Sequence, residues 1–208
     1  MYRKIVKPTL DFLFALLLIL LLWPLMGIVA LITWIELGLP LHNLLREREG
    51  KDKKTYIMYK FRTKALDPDG HTFSNTYTKV SKFIDKTRLN ELPQLFNILF
   101  GQMSFVGPRP FIPGESDKFK DIIDPKRYMM RPGVTGLAQI NGGRSISTKT
   151  KLKYDVEYYD NMSFWLDLKI VFITIGELLT FDVDKANKKR AEEINAKKNS
   201  GHIDDIAK

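Results

Sequence analysis

The sequence predicts an α+β protein, mostly helical, with the topology of a monotopic membrane protein: a re-entrant N-terminal helix and interfacial amphipathic helices. Three observations carry this. Residues 12–35 hold no charged side chain. Apolar residues recur at helical spacing after Asn90 and again over Phe164–Phe181. β-prone sequence is confined to short stretches such as Thr55–Arg62.

The N-terminal stretch Phe12–Ile35 is longer than the roughly 20 residues that cross a bilayer. Arg3, Lys4 and Lys7 precede it; Arg46, Arg48, Lys51, Lys53 and Lys54 follow it. Positive charge on both flanks gives no clear orientation. Pro24 lies near the middle, where it removes a hydrogen bond and costs about 3 kcal/mol in a regular helix. A helix that enters, bends at Trp23-Pro24 and returns keeps both basic flanks on one face. A straight, kinked single pass also fits the residues. A cleaved signal peptide fits poorly, because the stretch is long and no A-x-A site follows.

Leu37–Asp52 reads as a polar exit from the membrane, and Thr55–Arg62 as a short strand. Asp67-Pro68-Asp69-Gly70 signals a turn, with a loop over 71–80. Lys79–Asp85 is compatible with a helix. Asn90 is a candidate N-cap that puts Pro93 in the first turn of a helix carrying Leu92, Leu95, Phe96 and Leu99. Phe119–Arg127 reads as a charged helix. Arg131-Pro132-Gly133-Val134-Thr135-Gly136 reads as tight turns that let backbone amides approach phosphate. Ser163 can cap Phe164–Phe181, which suits an interface better than a span because it carries Asp167, Lys169 and Glu177. Residues 185–208 form a charged tail.

Composition narrows the chemistry. The 208 residues suffice for one compact domain plus a membrane element. A net charge of +9 points to an anionic partner: lipid headgroups, nucleotide phosphates, or both. With no Cys, thiolate catalysis, disulfides and Cys-ligated zinc are excluded. His42, His71 and His202 lack metal-ligand spacing. No Walker A or Gly-x-Gly-x-x-Gly run is present. An Asp-x-Asp run, Asp182-Val183-Asp184, lacks the surroundings of a metal-dependent glycosyltransferase site. A nucleic-acid binder fits the charge but not the membrane segment, so no nucleic-acid partner is expected.

Residues 86–110 concentrate the candidate chemistry. The carboxylate of Glu91 stands beside Asn90 at the start of an apolar helix. That helix leads to Gly107-Pro108-Arg109-Pro110, a rigid turn that offers one guanidinium. A helix N-terminus and a fixed Arg both favour phosphate. The pattern suits a phosphorylated, diphosphate-like substrate.

This segment resembles the core motif of the small bacterial sugar transferases, the monotopic phosphoglycosyl transferases. Tyr59-Lys60-Phe61-Arg62, the run Arg131–Gly142 and Tyr154-Asp155-Val156-Glu157-Tyr158-Tyr159 resemble further motifs of that family, so the likeness covers nearly the whole chain. It favours the re-entrant helix, although the family's Ser-Pro is Trp23-Pro24 here. The resemblance implies transfer of a phosphosugar from a UDP-sugar to undecaprenyl phosphate, with release of UMP and Mg²⁺ bridging the diphosphate. It implies a bacterial inner membrane protein whose catalytic domain, residues 37–184, faces the cytoplasm behind a membrane helix, residues 1–36. Pathway glycosyltransferases would be further partners. Carried over residue by residue, it makes Asn90 and Glu91 the catalytic and metal-binding pair. Arg109, Pro108, Asn141, Arg144, Asp155, Lys60 and Arg62 become substrate-binding positions.

There are three departures. The family's nucleophilic Asp is Asn90 here. Its Arg five residues earlier is Asp85. Its Asn-Gly-Arg is Asn141-Gly142-Gly143-Arg144, which shifts the Arg by one. An amide is a very poor nucleophile, so three readings stand: altered chemistry in an impaired transferase, an inactive membrane-bound scaffold that binds nucleotide-sugar or, for Asn90 alone, an engineered substitution that traps substrate.

Overall fold

The computed structural model describes residues 1–38, 47–65, 77–179, 190 and 192. The N-terminal segment is helical from Tyr2, through a π-helical turn, into α1 (Lys7–Leu37). Tyr2–Leu37 is long and apolar enough to cross a membrane. Pro24 lies inside α1, and helix is assigned on both sides of it without a break. The expected return at Trp23-Pro24 is therefore not marked by an end of the helix.

What α1 touches follows from its spacing. Lys7, Asp11, Ala15, Met26, Val29 and Thr33 are its buried residues and share one stripe. At its start, Lys7 Nζ pairs with Asp167 at 2.7 Å. Next, the Asp11 carboxylate accepts the Phe105 amide at 3.2 Å. Ala15 packs with Leu95, Ile98 and Met103, and Met26 and Val29 pack with Phe61 and Ile84. Near its end, Glu36 accepts the Thr78 hydroxyl at 2.5 Å. The same domain thus touches the helix from one end to the other. The opposite side exposes Phe12, Leu13, Leu17, Leu20, Leu21, Trp23 and Trp34.

The strands are short. β1 (Glu47–Glu49) pairs antiparallel with β2 (Thr55–Ile57), so the predicted strand over 55–62 holds for its first three residues. The turn at 67–70 and most of the loop after it lie outside the described residues. α2 (Lys79–Lys86) forms where a helix was compatible, with a capping box between Thr78 and Ser81. β3 (Ser104–Val106) runs parallel to β4 (Gly133–Thr135). The motif expected to form only turns therefore contributes a strand. The crossover between them uses 3₁₀ turns at Ser116–Phe119 and Pro125–Met129. Pro125 has no N–H to extend a helix, so the α-helix expected over 119–127 does not form.

The remaining helices are α3 (Gln94–Leu99), α4 (Leu137–Ile140), α5 (Thr148–Asn161) and α6 (Phe164–Leu179). Ser163 caps α6 as expected: its Oγ accepts the Leu166 amide at 3.3 Å. Phe164, Trp165, Phe172, Ile175 and Leu179 are exposed along it. Val106, Met130, Ile140, Tyr158 and Ile170 form the core beneath β3 and β4.

Candidate active site

The turn after β3 is built by backbone contact. A Cβ on Gly107 would lie 2.4 Å from the Arg131 carbonyl oxygen, and one on Gly136 would lie 2.1 Å from the Gly107 oxygen. Only glycine permits this approach. The Gly107 amide donates to Thr135, and the Gly133 amide to Pro108. Pro108 is therefore a brace of the turn and borders a separate small recess, not the main cavity. The brace projects Arg109 into a cavity of about 450 Å³, lined also by Arg88, Glu91, Glu115, Arg127, Arg144, Lys151 and Asp155.

Glu91 reaches that cavity from a 3₁₀ turn, Leu89–Glu91, not from a capped α-helix. Arg88 opens this turn at φ 60°, a left-handed conformation that an L-residue adopts at some cost. The conformation lets the Arg88 side chain return to Glu91 at 3.3 Å. Lys60 approaches the same carboxylate oxygen at 3.1 Å. Burial pushes the Glu91 carboxyl up, but Lys60, Arg88, the Lys60 hydrogen bond and Arg109 outweigh burial and hold it below the usual glutamate range. Such a group stays a carboxylate at neutral pH. It suits holding cations better than taking protons.

Asn90 does not join Glu91. It is fully buried and does not line the described cavity. Its Nδ2 donates to the Asp85 carboxylate at 2.6 Å, and its Oδ1 has no partner. It is not an N-cap either, because its side chain accepts no backbone amide. The left-handed Arg88 turns the chain so that residue 90 faces α2.

Asp155 lines the cavity from α5. Its partner is Arg127, which sequence reasoning missed. Arg127 Nε donates to Asp155 at 3.0 Å, Nη2 donates to the Arg109 carbonyl at 2.5 Å, and the guanidinium lies 4.0 Å from the Phe111 ring centroid. This residue fixes the backbone that carries Arg109. Burial pushes the Asp155 carboxyl up to about 6, against the opposing charge and hydrogen bond of Arg127. No local pattern marks Arg127, because its partner stands 28 positions away.

The other expected residues divide. Arg144 lines the cavity. Lys60 acts through Glu91. Asn141 does not line the cavity; its amide donates back to Leu137 at 2.8 Å, at the end of α4. Arg62 is buried beside the end of α1, where a Cβ on Gly38 would lie 3.3 Å from its Nη2. A cation there complements the helix C-terminus.

The expected metal pair fits poorly. One member is an amide tied to Asp85, and the other is flanked by two cations. Among the described residues, no group of three His, Asp or Glu side chains could hold an ion. What the cavity offers is positive charge around a braced arginine, which suits a phosphate-like anion on chemical grounds.

The chain is similar in sequence to several known proteins. A UDP-glucose:undecaprenyl-phosphate glucose-1-phosphate transferase of Klebsiella pneumoniae is 41% identical over 141 residues, covering 62% of this chain and 30% of the relative. A UDP-N-acetylgalactosamine-undecaprenyl-phosphate N-acetylgalactosaminephosphotransferase of Aeromonas hydrophila is 37% identical over 190 residues, 84% of this chain and 44% of the relative. The chain thus spans less than half the length of these two. An uncharacterized sugar transferase, EpsL, of Bacillus subtilis (strain 168) is 39% identical over 154 residues, 70% of this chain and 74% of the relative. Residues 2–181 match the bacterial sugar transferase family, and the protein belongs to it.

Proposed function

We propose that the protein is a phosphoglycosyl transferase, which moves a phosphosugar from a UDP-sugar to undecaprenyl phosphate and releases UMP. The observation that carries this is Arg109: a braced guanidinium in a cavity that also holds Glu91, Arg88, Arg144 and Lys151. The names of the relatives, with glucose in one and N-acetylgalactosamine in another, support the reaction class and leave the sugar open. Arg109 orients the diphosphate, Lys60 and Arg88 hold Glu91 as an anion, and Arg127 keeps the Arg109 turn in place. Magnesium, where used, would arrive with the diphosphate and neutralise its charge. The residues here neutralise charge with guanidinium and ammonium groups.

The site belongs at the cytoplasmic face of a bacterial inner membrane, where soluble UDP-sugar and the lipid acceptor meet. The contacts of α1 with one domain at both ends support a monotopic, re-entrant placement. A glycosyltransferase acting next on the lipid-linked sugar would be a natural partner.

Asn90 favours a second reading. Its amide has no carboxylate to attack phosphorus, and it is tied to Asp85. A chain unable to form a covalent phosphosugar would be impaired, or would bind nucleotide-sugar as a scaffold. The test is UMP release and lipid-linked product from a panel of radiolabelled UDP-sugars with undecaprenyl phosphate. Product supports the transferase. Binding of UDP-sugar without product across the panel supports the scaffold.

A further inference from the structure

The cations of the cavity fall into two classes. Arg88 is paired with Glu91, and Arg127 with Asp155. These pairs build the site. Arg109, Arg144 and Lys151 line the same cavity, yet among the described residues no carboxylate forms an ion pair with any of them. They come from three elements: the turn after β3, the 3₁₀ turn Gly143–Ser145, and the start of α5.

Because they line one cavity, they act on one another. The Arg109 guanidinium is pushed down by burial, with Glu91 opposing and Arg144 and Arg88 adding to the effect. Lys151 is pushed down by burial and then by Arg109 and Arg144, with Glu115 opposing. Arg48 adds a further like charge near Arg109. Glu115 lines the cavity beside the triad, and its Oε2 accepts the Ile112 amide at 3.0 Å, which ties it to its own loop. The other lining carboxylates, Glu91, Asp155 and Glu177, are already paired with Lys60 and Arg88, Arg127 and Arg190, so the three cations face Glu115 with a positive excess. Like charges gathered without partners repel, and an anion with two charges relieves that repulsion.

We propose that Lys151 and Arg144 complete, with Arg109, a diphosphate clamp in which Lys151 is a ligand-binding residue. The clamp deepens the transferase reading and rests on it for the nucleotide part of the ligand. It does not need that reading for the diphosphate part. Arg109 and Arg144 offer planar forks to two phosphate groups, and Lys151 acts as a point charge between them. Thr148 and Lys151, in the first turns of α5, both line the cavity, so the positive end of that helix adds to the field. Glu115 is the resident anion that the ligand must compete with.

The experiment is calorimetry on the full chain in detergent, with inorganic pyrophosphate, inorganic phosphate and UDP as separate probes. Pyrophosphate is expected to bind more tightly than phosphate. Lys151→Met should weaken pyrophosphate binding roughly tenfold, the loss of one charge-assisted contact. Glu115→Gln should tighten it, a gain that damage to the fold would not produce. Lys151→Arg should retain most of the affinity. Should Lys151→Met fail to fold, Glu115→Gln and the wild-type preference for pyrophosphate still decide. Equal pyrophosphate affinity in wild type and Lys151→Met, or no gain with Glu115→Gln, overturns the clamp. Pyrophosphate binding that depends on Lys151, with no binding of UDP, supports the clamp and counts against the nucleotide reading alone.

Discussion

Asp155 and Tyr158 stand three residues apart on α5 and serve opposite ends of the protein. Asp155 holds Arg127 beneath the cavity at 3.0 Å. Tyr158 donates to Asp167 at 2.5 Å, and Asp167 also accepts Tyr2 at 2.6 Å and Lys7 at 2.7 Å at the foot of α1. One helix therefore connects the backbone that carries Arg109 to the foot of the long apolar helix. The Arg127–Asp155 and Lys7–Asp167 pairs are buried and hydrogen-bonded, so removing the carboxylate of either leaves a buried cation without its partner.

Asp155 makes the site sensitive to pH. Its folded carboxyl titrates near 6, above the ordinary aspartate value, so the folded state binds this proton more tightly than the unfolded chain does. Its contribution to stability is thus present below the ordinary aspartate pKa and is lost as pH rises through about 6. Binding runs the other way, because only the ionised carboxylate pairs fully with Arg127. Affinity for UDP-glucose, whose diphosphate does not titrate here, should fall below pH 6 and should lose that step in Asp155→Asn. A pH series by calorimetry checks this; an unchanged acid limb in the variant would remove Asp155 from the account.

Arg109→Ala should weaken donor binding by about 1.5–3 kcal/mol, the range for a hydrogen bond to a charged group. Arg109→Lys should recover only part, because an ammonium lacks the planar fork. Affinity for a UDP-sugar measures both. Equal affinity in wild type and Arg109→Ala would sink the assignment.

The foot of α1 should behave as a structural latch. Asp167→Ala leaves Lys7 buried without its partner, and about 3–5 kcal/mol of stability should go with it. The loss appears as a lowered melting temperature in detergent. Pro24→Ala should leave topology unchanged, because Lys7 and Glu36 are both tied to the same domain. Single cysteines at the exposed positions Lys4 and Lys54 should label from one side of the membrane in both versions. Opposite sides would reject the re-entrant placement.

The sequence made some of this legible and hid the rest for a physical reason. α1 announces itself by an uncharged apolar run and α6 by apolar spacing behind its Ser163 cap, which are properties of neighbouring residues, whereas the sequence of α2 is only compatible with a helix. Glu91, Arg109, Arg144 and Asp155 sit in readable motifs, and the fold brings them to one cavity. Arg127 stands in the sequence only as the end of a charged stretch, because its burial depends on Asp155 and Phe111, which lie elsewhere in the chain. Asn90 looked like a cap because its local context fits one. The left-handed Arg88, which redirects it toward Asp85, has no sequence signal, since arginine is not a residue that favours that conformation.

Asp85 and Asn90 are a matched pair, and this shapes what restoring the family's aspartate would do. The amide of Asn90 donates to the Asp85 carboxylate at 2.6 Å in a buried setting. Asn90→Asp would bring two carboxylates to that separation. They could not both ionise, so one would be held protonated with its pKa raised. The single variant should therefore gain little activity and lose stability. The double variant Asp85→Arg with Asn90→Asp replaces the clash with an ion pair and supplies an ionised carboxylate at position 90. To act as a nucleophile that carboxylate must also turn from its buried place toward the cavity; where it does, the double variant should form a covalent phosphosugar, visible as an added mass in the intact protein after incubation with UDP-sugars and magnesium, where the wild type forms little or none. Its turnover with undecaprenyl phosphate should exceed that of the wild type by orders of magnitude, the scale on which an essential nucleophile acts. If Asn90→Asp alone were as active as the double variant, the Asp85 contact would have no bearing on the nucleophile. If wild type already turned over rapidly, attack at phosphorus would have to come from another group, and the acceptor phosphate itself would be the first to examine.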